Sequence, residues 1–161
     1  MIETQQLELR ARDAVSRCLI RSLAVPNVYF DVHWPTVRAR RIIDVLAIDR
    51  AGVGDVHVVE IKYAARDAFA AIPALLKVPA QFRWIAFYED TVGPQAIAAA
   101  MDKGVLYSPS GMGRVGVIQV ASVGEHDLAA NIIIRAERFA GSLRERVKKF
   151  TKQHPADVEF A

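Results

Sequence analysis

Residues 40–66 read RRIIDVLAIDRAGVGDVHVVEIKYAAR, and the predicted fold is organised around this stretch. Two runs rich in Val and Ile, Ile42–Ile48 and Val56–Lys62, flank a loop that contains two glycines. This composition is typical of two strands joined as a hairpin. Both runs are apolar on both faces, which is typical of central strands that helices cover on either side. The stretch therefore predicts the centre of an α/β sheet.

Three charged residues interrupt the apolar runs. With the loop centred on Gly52, Asp44 lies eight residues before the centre and Glu60 eight residues after it. In an antiparallel hairpin these two residues face each other, with Cβ atoms roughly 4.5–5.5 Å apart. Lys62 lies two residues beyond Glu60, so strand alternation places it on the same face. A register slip of one residue would instead move one acid to the other face.

Two carboxylates this close repel each other unless a cation lies between them. Lys62 supplies part of that positive charge, and a Mg²⁺ ion, which prefers oxygen ligands, would supply the rest. The alternative is a buried ion pair between Lys62 and either Asp44 or Glu60, without a metal. Two facing acids beside a lysine favour the metal site.

The pattern Asp44, fifteen residues, then Glu60-Ile61-Lys62 resembles the signature of the PD-(D/E)XK nuclease superfamily. Ile43 stands where many members have proline before the acid. The resemblance implies a restriction-endonuclease-like α-β-β-β-α-β core, with a central mixed sheet flanked by helices. It also implies that Asp44, Glu60 and the backbone carbonyl of Ile61 bind Mg²⁺ or Mn²⁺, and that Lys62 orients or helps to deprotonate the attacking water.

Many members of that superfamily add an acid from the first helix. A stripe of apolar residues predicts an amphipathic helix over 3–23, and Glu8 lies at the edge of this stripe. The resemblance makes Glu8 the fourth candidate catalytic residue. The alternative is a boundary glutamate that extends to solvent.

The remaining chain predicts further elements around the hairpin. Pro94 and Gly104 bracket one short helix, as expected at a helix start and end. The predicted elements are strand 27–34, helix 66–78, strand 81–89, helix 94–103, strands 105–107 and 114–120, and helix 128–153. The strands at 105–107 and 114–120 and the helix 128–153 extend the core at its C-terminal end.

Length and composition restrict the class of protein. A chain of 161 residues with 52% hydrophobic residues predicts a single packed domain over 1–161. A lone cysteine excludes an intrachain disulfide, and no run has the length of a membrane span. We therefore expect a cytoplasmic protein without a membrane partner.

Basic residues indicate where DNA would bind. The net charge is +3, and Arg38, Arg40 and Arg41 cluster before the central hairpin. The predicted helix 128–153 is basic and contains Lys148 and Lys149. Basic side chains supply the sequence-independent part of DNA affinity.

The sequence thus predicts a metal-dependent nuclease that hydrolyses phosphodiester bonds in DNA, in repair, recombination or restriction. Many relatives act as dimers, so a homodimer is one expected assembly. The alternative function is a catalytically inactive nuclease-fold module that binds nucleic acid or a protein partner.

Overall fold

The computed structural model describes residues 4–25, 27–35, 40–49, 54–101 and 113–159. Within these residues, no helix is long and apolar enough to cross a membrane. The elements in chain order are α1 (Thr4–Leu23), β1 (Asn27–Pro35), β2 (Arg40–Ile48), β3 (Val56–Lys62), α2 (Ala65–Leu75), β4 (Phe82–Tyr88), α3 (Pro94–Met101), β5 (Gly116–Val123), β6 (Asp127–Ile134), α4 (Arg144–Gln153) and β7 (Val158–Glu159).

The structure is a mixed α/β fold built on one sheet with strand order β6-β5-β4-β3-β2-β1-β7. Six strands have seven to nine residues, and β7 has two. Neighbouring strands are antiparallel except for the parallel pairs β3–β4 and β4–β5. The first six elements follow the predicted order α-β-β-β-α-β.

Helices cover both faces of the sheet. On one face, Ala11, Val15 and Leu19 of α1 pack against a buried cluster that includes Val45 and Val59. On the other face, α2, α3 and α4 pack against a second cluster. The central strands are buried on both sides, as their continuous apolar composition predicts.

The predicted helix 128–153 is wrong in its first half. Residues 127–134 form β6, antiparallel to β5, and α4 begins only at Arg144. Three consecutive isoleucines, Ile132 to Ile134, prefer a strand because their β-branched side chains restrict χ1. Gly141 has φ of 121°, a conformation that interrupts a right-handed helix. The C-terminal basic helix is therefore α4 alone. The strand predicted at 105–107 lies outside the described residues.

Strand alternation in β2 also departs from the prediction. Ile42 is 54% exposed, whereas Ile43 packs in the same cluster as Leu46, three residues away. The alternation therefore shifts by one position near Asp44. On the neighbouring strand, Asp31 has φ of 50°, which breaks the extended backbone opposite that position.

Gly116 offers a test of the packing between β4 and β5. A Cβ atom at this position would overlap the ring of Trp84 and lie 2.7 Å from the backbone nitrogen of Ala136. The Trp84 ring cannot easily move, because it is buried and its Nε1 donates a hydrogen bond to Nδ1 of His57 at 3.2 Å.

We expect Gly116→Ala to lower the free energy of unfolding by about 1–3 kcal/mol through this overpacking. Gly93→Ala is the matched control, since a Cβ there meets nothing within 4 Å. Urea denaturation of both variants measures the difference. Equal stability of the two variants would contradict the packing described here.

Candidate functional site

The pairing of β2 with β3 brings Asp44 and Glu60 together. Val45 pairs with Val59 and Leu46 with Val58, so Asp44 and Glu60 are the residues that adjoin the last pair of this ladder. A side-chain hydrogen bond joins the two carboxyl groups. The predicted register is confirmed for the pairs from Val45–Val59 to Ile48–Val56, and beyond them the alternation of β2 shifts by one position at Asp44.

Burial and hydrogen bonds fix these two side chains. Glu60 is only 4% exposed. Oδ2 of Asp44 accepts a hydrogen bond from the backbone N–H of Ile61 at 2.8 Å.

The pKa of Asp44 is raised above its ordinary value, first because burial disfavours the charged form. The negative charge of Asp31 adds to this rise in the pKa. The N–H of Ile61 and the positive charge of Lys62 act in the opposite direction. Burial therefore disfavours the ionised form of Asp44, and the positive charge of Lys62 offsets only part of this effect.

Lys62 lies close to the pair but borders a different surface. By strand alternation Glu60 and Lys62 belong with Val56 and Val58, which pack on the α2 side of the sheet. Lys62 borders a surface groove on that side, together with Asp67. The prediction that all three charges share one face is wrong for Asp44, because the shift in β2 turns this residue towards α1.

On the α1 side, Asp44 opens into a cavity of about 360 Å³. Residues 5, 8, 9 and 12 of α1 form one wall, because helical spacing places them on one face. The remaining lining residues come from three adjacent strands and the residue after β3. They are Asp31, Asp44, Ile61 and Tyr63.

Glu8 is an exposed residue on this cavity wall and not part of the buried stripe of α1. Its carboxylate is near enough to Tyr63 to influence that hydroxyl. Burial raises the pKa of Tyr63 to about 12, and the charges of Glu8 and Asp44 contribute to the rise. The Tyr63 hydroxyl therefore stays protonated at neutral pH and can donate a hydrogen bond into the cavity.

Arg12 supplies positive charge to this cavity. Its Nη1 donates to Oδ2 of Asp31 at 2.8 Å, and its guanidinium lies 4.3 Å from the centroid of the Phe30 ring. Sequence reasoning missed Arg12 and Tyr63. Helical spacing from Glu8 to Arg12, and strand alternation from Ile61 to Tyr63, are the signals that could have found them.

The candidate metal-binding side chains are fewer than the resemblance implies. In the part of the chain that the structure describes, no group of three or more His, Cys, Asp or Glu side chains is arranged to hold a metal ion. Glu8 shares the cavity with Asp44 without completing such a group. Asp44 and Glu60 are thus a two-carboxylate set, with the backbone of Ile61 beside them.

The predicted DNA contacts are only partly described. Arg38 lies outside the described residues, and for Arg40 and Arg41 only the backbone, which belongs to β2, is described. Lys148 and Lys149 are exposed on α4. The exposed basic residues of α4 are Arg144, Lys148, Lys149 and Lys152.

Comparison with known proteins informs the fold. No protein-family model matches the chain, and no curated protein is similar to it. A solved structure of a protein of unknown function from Silicibacter pomeroyi is similar, with 17% sequence identity and a TM-score of 0.54. The match covers 91% of this chain and 84% of the other. The similarity shows a shared fold.

The raised pKa of Asp44 gives a prediction about stability. The folded protein holds the proton more tightly than the unfolded chain, so this group's contribution to stability falls as pH rises through the raised pKa. Asparagine cannot ionise, and its carbonyl can still accept from Ile61. In EDTA near neutral pH, we expect Asp44→Asn to be more stable than the wild type by about 0.5–2 kcal/mol.

The difference should disappear below pH 3.8, the ordinary value for this carboxyl group. Urea denaturation at a series of pH values measures it, with Glu125→Gln, an exposed turn residue, as the control. A neutral-pH loss of stability in Asp44→Asn would show that the ionised carboxylate stabilises the fold.

Proposed function

We propose that this protein is a metal-dependent nuclease with a restriction-endonuclease-like fold that hydrolyses phosphodiester bonds in DNA. The observation that carries the proposal is the opposed pair Asp44–Glu60 on β2 and β3, with Lys62 two residues beyond Glu60. The order α-β-β-β-α-β and the cavity beside Asp44 support it. Buried paired acids beside a cavity are typical of functional sites.

The donor set fits a hard divalent cation. Mg²⁺ uses oxygen ligands, and in phosphate-processing sites one or two carboxylates suffice because waters and substrate phosphates complete the shell. Asp44 and Glu60 would hold the ion, with the carbonyl of Ile61 as the third protein oxygen. A bound Mg²⁺ or Mn²⁺ supplies Lewis acidity towards a phosphate oxygen and lowers the pKa of a coordinated water.

The residues around the pair have separate roles in this proposal. The N–H of Ile61 fixes the orientation of the Asp44 carboxylate. Lys62 places positive charge near the pair, where it stabilises the negative charge that develops on the phosphate and helps to orient the attacking water. Arg12 and the protonated Tyr63 hydroxyl line the cavity as hydrogen-bond donors to phosphate oxygens. Glu8 supports the site from the cavity wall.

The exposed basic residues of α4 form the proposed DNA-binding surface. This helix contains five basic residues and one acidic residue, Glu145. Lys148 and Lys149 are exposed and available to phosphates, and the arginines at 38, 40 and 41 add to this charge. Such contacts are independent of base sequence and weaken as salt rises.

One observation favours a second candidate, a nuclease-fold module that binds nucleic acid or a protein without cutting. The described residues hold no three-ligand group, and Asp44 and Glu60 are joined to each other by a hydrogen bond. A site that had lost catalysis could retain this arrangement as internal packing. Cleavage assays separate the two candidates.

We expect cleavage of plasmid or single-stranded DNA with Mg²⁺ or Mn²⁺ and none in EDTA. Asp44→Asn and Lys62→Met should each reduce the cleavage rate by about a hundredfold or more, because each removes charge that acts on the transition state. Gel assays under single-turnover conditions measure these rates.

Glu125→Gln and Lys77→Met are the charge-matched controls, since both residues are exposed and lie outside the cavity. They should cleave like the wild type. Cleavage that persists in Asp44→Asn would exclude this site, and DNA retention without cleavage under every metal condition would favour the binding module.

A further inference from the structure

A second depression, of about 470 Å³, lies between β1 and the segment that follows α4, on the face of the sheet opposite the proposed catalytic cavity. Asp31 lines both spaces, and because β7 pairs only with Asn27 and Val28, the two faces meet at Asp31 around the open edge of β1. The wall of the depression includes Phe30, His33, Phe150, His154 and Asp157. We refer to it as the β1–α4 groove. The proposed catalytic chemistry does not use it.

The groove contains an exposed aromatic ring that other rings hold in place. The imidazole of His154 stacks on the Phe150 ring, with centroids 4.5 Å apart and an interplanar angle of 27°. Phe150 is fixed from behind by edge contacts with Tyr29 at 4.9 Å and Trp34 at 5.6 Å. His154 itself is exposed. An exposed planar ring held by buried rings suits the stacking of another flat group.

The groove does not suit the addition of a peptide strand to β1. Asp157 already occupies that edge: its N–H donates to the Val28 carbonyl at 2.9 Å, and its Oδ2 accepts from the N–H of Phe30 at 2.7 Å. Beyond Phe30, Asp31 has φ of 50° and interrupts the extended backbone. Strand addition needs a continuous row of backbone groups, which is missing here.

Charge favours a nucleic-acid strand. The two carboxylates of the groove are engaged, Asp31 with Arg12 and Asp157 with the N–H of Phe30. The helix that leads into the groove has exposed lysines at 148, 149 and 152. Lys152 precedes His154 by two residues, and both are exposed, so a cation for a phosphate and a ring for a base, the two components of single-strand binding sites, follow each other along the chain.

We infer that the β1–α4 groove binds an unpaired nucleotide of single-stranded DNA, with its base stacked on His154. The strand continues around the edge of β1 at Asp31 into the cavity at Asp44. This inference rests on the proposed nuclease function, and it assigns single strands or single-stranded tails as the substrate class.

Binding in EDTA tests the groove independently of cleavage. The probe is a short fluorescein-labelled oligothymidylate, compared with a blunt duplex by fluorescence anisotropy. We expect the wild type to prefer the single strand, and His154→Ala to weaken that binding at least about fivefold, the lower range for loss of one stacked base. His154→Trp should retain binding, and His126→Ala, in the exposed turn between β5 and β6, is the matched control.

Each outcome separates the inference from the proposed function. Equal binding by His154→Ala and the wild type, or a preference for the blunt duplex, would overturn the groove as a single-strand site even if DNA is cleaved. Loss of self-association in His154→Ala, without loss of DNA binding, would make the groove a protein interface and also overturn it. His154-dependent binding in a protein that never cleaves DNA would support the groove and remove the nuclease proposal.

Discussion

The antiparallel pairing of β2 with β3 brings Asp44 next to Glu60, and every other feature of the site depends on this register. The apolar residues on both faces of these strands hold it, because a slip of one residue would exchange the two buried clusters. The hydrogen bond between the acids is therefore a consequence of core packing. A cation bound between them would find the two carboxylates already close to each other.

This arrangement is unfavourable for the fold taken alone. Burial raises the pKa of Asp44, and Asp31 beside it has a positive φ, which is uncommon for a residue other than glycine. Both features lie at the same cavity. Strained backbone and buried acids are retained where the surrounding structure enforces them, and they concentrate at functional sites. The coincidence of these two features at Asp31 and Asp44 is the physical reason to propose a functional site at this end of the sheet.

The sequence predicted the central strands well because the hairpin pattern is local. The boundaries of β3 and the opposition of Asp44 and Glu60 followed from spacing around Gly52 alone. The orientation of Asp44 did not follow, because it depends on Asp31 in a neighbouring strand. β6 was missed because a run of alanines and isoleucines between polar residues fits a helix until its pairing with β5 decides otherwise. Arg12, Tyr63 and the groove at His154 needed the three-dimensional arrangement of separate elements.

Anomalous diffraction from a crystal soaked in Mn²⁺ near neutral pH tests the central claim most directly. We expect a manganese peak between Asp44 and Glu60, coordinated by one oxygen of each carboxylate, with their mutual hydrogen bond broken. Carboxyl groups that remain hydrogen-bonded to each other, with no peak beside them at saturating Mn²⁺, would contradict it.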